Sequence, residues 1–294
     1  MHKLNLSLLS KLLGIAFVVG ASACSTDEES LTPQNRIEVD NMAGAMAPDG
    51  YITPTSYSGM NLVWADEFDG NSLNTSNWSY ELGDGCPDLC GWGNNELQVY
   101  KSENVSVANG HLVIEAREER TGAKAYTSGR IKTEGKQSFK YGRIDIRAKM
   151  PRGKGMWPAL WMLGANHSTA GWPASGEIDI MEMIGGDEST VLGTCHWDHD
   201  GQFASYGGNY TVSGPSLADE FHVYSISWDD TFIRWYVDDI EYHVIDITPE
   251  QLSEFQQEFF FLFNVAVGGN LVGRPNRNTS FPQQMIVDYV RVFQ

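Results

Sequence analysis

From Gly176 to Met183 the chain reads Gly-Glu-Ile-Asp-Ile-Met-Glu-Met, setting Glu177, Asp179 and Glu182 among bulky apolar residues. An acid in such company is costly unless it is paired, hydrogen-bonded or protonated, so three together need a chemical reason. Two carboxyls about 5–5.5 Å apart across a glycosidic bond, one a nucleophile and one an acid/base, would cleave it with retention of configuration. A third between them would stay ionised or share a proton, holding the outer pair at different pKa values. The competing readings are an acidic, solvated strand face and a metal site. Hard-metal cages, however, usually draw on loop oxygens rather than on one alternating strand.

Such chemistry depends on the element that carries the acids. A helix, at about 100° per residue, would scatter the three side chains. A strand puts Glu177 and Asp179 on one face, because side chains alternate with period 2. Glu182 lies an odd number of positions from Glu177 and would face the other way. One extra residue, a β-bulge near Ile180 or Met181, returns it to its partners. The expectation is a bulged strand with three acids facing one cleft.

Other blocks follow in order: Leu62-Val63-Trp64-Ala65-Asp66-Glu67-Phe68, Gly91-Trp92-Gly93-Asn94-Asn95-Glu96, Thr127-Ser128-Gly129-Arg130-Ile131, Trp157-Pro158-Ala159-Leu160-Trp161-Met162-Leu163 and Asn264-Val265-Ala266-Val267-Gly268-Gly269-Asn270. With the E-x-D-x-x-E strand they resemble glycoside hydrolase family 16, in particular its endo-β-1,3-glucanases, the laminarinases. The resemblance runs from about Leu62 to Gln294. It implies Glu177 as nucleophile, Glu182 as acid/base and Asp179 as assisting carboxylate, with no cofactor for catalysis. It also implies sugar contacts at Trp92, Asn94 and Asn264, and an Arg130 that reaches the cleft floor and helps keep Glu177 ionised. Trp157 and Trp161, four apart on one strand face, and Trp172 at the mouth are expected to stack on glucosyl rings; core packing is the alternative for each. His196, one strand further on, is expected to hydrogen-bond Asp179. Cys195, with no base placed to activate it, reads as structural. A structural calcium would take backbone oxygens of Glu67 and Gly110 and the carboxylate of Asp288.

The rest of the chain sets the frame. Its 294 residues allow one large β domain or two ordinary ones, and 41% hydrophobic and 12% aromatic residues suffice for a core. A net charge of -18 argues against nucleic acid or an anionic membrane surface as partner. Many short alternating strands, with only Pro249–Gln257 reading as a helix, predict an all-β antiparallel sandwich. The family implies a jelly roll with a concave substrate cleft. No second domain or repeat is evident, and a monomer is expected.

Residues 1–23 read as a signal peptide: Lys3 and Lys11, an apolar run from Leu12 to Val19, then Ala21-Ser22-Ala23. Cys24 follows at once, as at a bacterial lipoprotein's acylation site, although Ala21 stands where Leu is usual; plain secretion is the alternative. Residues 24–58, rich in Ser, Thr, Pro and acids, read as a flexible tether, with the catalytic domain at 59–294. The protein is therefore expected to be exported, as an outer-membrane or cell-surface lipoprotein or in secreted form, with any membrane contact made through the lipid. In an exported chain Cys86 and Cys90 could bridge, within strict geometric limits. The expected substrate is laminarin-type β-1,3-glucan, with mixed-linkage β-1,3/1,4-glucan second. The alternatives are a galactan hydrolase acting on agar or carrageenan and a non-catalytic glucan-binding protein.

Overall fold

Short strands that each own one apolar face must bury it against another layer, and here all but two small two-stranded pairs form two large antiparallel sheets. The computed structural model describes residues 44–294. The sheet that carries the acids has seven strands. From edge to edge they are Gln202–Thr211, Thr190–His199, Glu177–Glu182, Met156–Gly164, Phe259–Val267, Arg130–Lys132 and Ser79–Tyr80. The facing sheet runs Ile240–Asp246, Phe232–Val237, His222–Trp228, Gly142–Lys149, Gln283–Phe293, His111–Ala116 and Val105–Ala108. Its eighth strand, Leu62–Asp66, also pairs with Gln283–Phe293. This is the expected all-β sandwich.

Between the sheets, Ile144, Ile146, Ile226 and Val290 meet Leu160, Met162, Ile178, Phe261 and Phe263 in one buried cluster. Phe259–Val267 is buried along its whole length, which requires cover on both faces. Its second face carries a small cluster of Phe260, Leu262 and Leu163, with Trp161 packed against it, on the side where the acids stand.

Two expectations are corrected. The tether ends before Ser58, because Ala45–Ala47 and Gly50–Ile52 form a hairpin bound to the sandwich. Asp49 pairs with Arg147, the Thr53 amide donates to the Tyr289 hydroxyl, and Tyr57 donates to Asp145. Charges and hydroxyls hold this strap, so it left no apolar periodicity to read. The expected helix at Pro249–Gln257 is a 3-10 turn over Glu250–Gln256. Leu252 and Phe255, its buried residues, are three apart, the period of that tighter helix. Cys24 and the targeting segment lie outside the described residues.

Candidate active site

The bulge falls where the acid spacing requires it. Asp179 pairs with Trp161 and Thr194, whereas Glu182 pairs with Ala159 and Leu192. Ile180 and Met181 therefore span what Gly193 alone covers on the next strand. Glu177, Asp179 and Glu182 now stand opposite Leu163, Trp161 and Ala159, alternate residues of a single neighbour, and so share a face. Ile178 and Met181 point into the core. The outer acids are four regular strand positions apart, roughly 13 Å along the backbone, with Asp179 between them.

Each acid has its own partner. Trp172 Nε1 donates to Glu177 Oε2 at 2.7 Å, and Trp157 Nε1 donates to Glu182 Oε1 at 2.8 Å. His196 Nε2 and Asp179 Oδ2 share a hydrogen bond of 3.0 Å, and the same nitrogen lies 4.0 Å from Glu177 Oε1. Burial pushes the Glu177 carboxyl well above the usual range and the Asp179 charge adds to it; His196 and the Trp172 hydrogen bond oppose. Asp179 is likewise held high, by burial and then by Glu182. Glu182 is raised by burial and drawn back by Trp157 and His196. Like charges at close quarters cannot all ionise freely, so the site favours a shared proton. Glu177, Asp179 and His196 also bring one donor atom each within 4.8 Å of the others, a spacing a cation could use. The hydrogen bonds already on both carboxylates instead serve to set protonation.

A second group adjoins the first. Arg130 lies between the rings of Trp92 and Trp161, 4.6 and 4.9 Å from their centroids. Trp161 Nε1 donates to Asn264 Oδ1 at 2.8 Å, and Asn264 is the register partner of Arg130. The Asn94 carbonyl accepts the Asn270 amide. The expectation that Arg130 keeps Glu177 ionised is corrected: its ion-pair partner is Glu81, at 2.5 Å. Burial works to raise Glu81, but Arg130 and Lys132 bring it below the usual value. Glu81 follows a two-residue strand and carried no sequence signal. Phe203 was also missed; more than half exposed, it stacks on Trp172 at 5.1 Å and on His196 at 5.6 Å.

Comparison with known proteins decides the family. The model of glycosyl hydrolases family 16 matches residues 93–287. The chain belongs to that family. This family 16 chain is 42% identical over 272 residues to glucan endo-1,3-beta-glucosidase A1 of Niallia circulans, a match covering 83% of the chain and 39% of the relative. It is 41% identical over 249 residues to a beta-glucanase of Rhodothermus marinus, covering 79% of the chain and 85% of the relative. Among solved structures, the laminarinase catalytic domain from Thermotoga maritima superposes with a TM-score of 0.74 at 46% identity, covering 80% of the chain and 98% of that domain. The chain thus spans about two fifths of the Niallia protein.

The calcium set that the resemblance implied does not fit the family 16 chain as folded. Asp288, its one carboxylate ligand, pairs with Arg147 at 2.7 Å and faces His111 Nε2 at 3.6 Å. Glu67 and Gly110 would offer backbone oxygens only, Gly110 from the turn between Val105–Ala108 and His111–Ala116. Calcium takes six to eight oxygens, and here the one carboxylate of the set is already paired with the Arg147 guanidinium. Cys86 and Cys90 are bridged, and Cys195 is free and buried.

Proposed function

We propose that the domain is a retaining endo-hydrolase of laminarin-type β-1,3-glucan. The bulge carries this reading, because it returns Glu182 to the face of Glu177 and Asp179 and gives each outer acid its own indole donor. Glu177 attacks the anomeric carbon while Glu182 gives its proton to the leaving oxygen. Glu182 then takes a proton from water, whose oxygen bonds to the anomeric carbon as the ester bond to Glu177 breaks and the sugar leaves. Asp179, bonded to His196, controls the charge between them. Family 16 hydrolysis needs no cofactor. Similarity to the Niallia glucan endo-1,3-beta-glucosidase and to the Thermotoga laminarinase supports β-1,3-glucan; mixed-linkage glucan is the second substrate. Trp172 and Phe203 extend an exposed aromatic surface from Glu177, suited to a sugar face. Ala21-Ser22-Ala23-Cys24 supports export, with a lipid on Cys24.

The test sets wild type beside Glu177→Ser on laminarin, barley β-glucan, agarose and κ-carrageenan, counting reducing ends and sizing products. Short oligosaccharides from laminarin, absent with the variant, are expected. Cleavage of a galactan alone would overturn the substrate. Binding without cleavage would make this a glucan-binding protein.

A further inference from the structure

A bulge disrupts the ladder around it, and buried backbone groups there still need partners. Behind the acid strand, on the core side, one arrives from the opposite sheet. Trp235, wholly buried on Phe232–Val237, donates its Nε1 hydrogen to the carbonyl of Asp179 at 2.8 Å. That carbonyl belongs to the last residue before the bulge.

Its way in is open because residue 193 is glycine. Gly193 lies opposite the bulge, and a Cβ there would fall 2.6 Å from Trp235 Cδ1 and 2.5 Å from the Tyr242 hydroxyl. The next strand continues the gap: Gly208 pairs with Gly193, and a Cβ on it would meet the His243 ring at 2.6 Å. Trp235 and His243 pack ring on ring at 4.8 Å. The facing hairpin has its own register shift between Trp235 and Tyr236, which leaves Tyr242 unpaired and brings it, with His243, against the glycine row. Two irregularities in opposite sheets therefore interlock.

We infer that Trp235 is a positioning residue for the reaction: through the Asp179 carbonyl it pins the bulge that turns Glu182 into the cleft, and Gly193 is the gap that admits it. The inference rests on the functional reading above. Without this bond the extra residue can migrate along the strand, and a one-residue shift turns a side chain to the opposite face. Trp235 touches no substrate; it acts through Asp179 and Glu182.

The test is Trp235→Phe, which keeps a ring and removes the N–H. The control is Trp228→Phe, because Trp228 is another buried indole that donates to a backbone carbonyl, that of Phe255 at 3.1 Å, within the core. Both variants lose one buried bond and should lose similar melting temperature. Trp235→Phe alone is expected to lower kcat on laminarin about tenfold or more with KM little changed. It is also expected to move the limbs of the pH–rate profile and the 13C NMR titrations of Glu177 and Glu182. Wild-type kcat and titrations in Trp235→Phe, or equal changes in Trp228→Phe, would overturn the inference. Should Trp235→Phe not fold, Gly193→Ala is read in the same way, since it displaces the indole while keeping its N–H; unchanged kcat and titrations there would be equally fatal. The titrations need no substrate, so a wild type inert on laminarin would sink the functional reading and leave the positioning role measurable.

Discussion

Glu177→Gln should make the protein more stable at neutral pH while abolishing its activity. The Glu177 carboxyl is held above its ordinary value of 4.5 by burial and then by the Asp179 charge. Between pH 4.5 and the raised folded value, the native state keeps a proton that the unfolded chain has released. Stability therefore falls as pH rises through that window, and above it the whole cost remains. Each unit of elevation costs about 1.4 kcal/mol, which for a domain of this size is a melting-temperature loss of roughly 3–6 °C. Glutamine removes the charge but retains an acceptor for the Trp172 N–H, now at 2.7 Å from Oε2. A gain in melting temperature is therefore expected at pH 7. At pH 4 it should nearly vanish, because the wild-type acid is then largely protonated in both states. Scanning calorimetry at both pH values, with laminarin assays alongside, reads the effect. A neutral-pH melting temperature equal to or below wild type, or an equal gain at pH 4, would refute the reasoning.

Trp172→Phe keeps an aromatic face against Phe203 but removes the donor to Glu177, so kcat on laminarin should fall about ten- to a hundredfold; steady-state kinetics on defined oligosaccharides will show whether KM stays near wild type. Arg147→Ala strips the counter-charge from Asp288 and Asp49 and should cost about 2–3 kcal/mol, or roughly 5–10 °C. EDTA should leave the wild-type melting temperature unchanged, and both effects can be read by thermal denaturation.

The acid strand was legible because a period of two is a strict rule. Three acids at uneven spacing on a strand admit one shared face only with an extra residue, and Ile180-Met181 opposite Gly193 supplies it. His196 came beside Asp179 through plain hairpin succession. What could not be read were pairings between segments far apart in the chain. Arg130 chose Glu81 rather than Glu177, and Trp235 crossed the core to a backbone carbonyl. Neither choice leaves a periodic trace, since each depends on how two layers stack. The strap at residues 44–58 was missed for a related reason: its anchors are Arg147, Asp145 and Tyr289, polar groups on strands much later in the chain.

The pairing of Leu62–Asp66 with Gln283–Phe293 has a consequence for how the molecule is made. Glu67 and Arg291, joined just beside that seam, are 224 positions apart. Contacts of such long range are slow to form, because the intervening chain must be gathered first. During synthesis the early strand leaves the ribosome long before its neighbour exists, and its unpaired edge is then open to pairing with other chains. Formation of the sandwich must wait until Gln283–Phe293 has been made, so the nascent domain depends on being kept apart from its copies until that strand arrives.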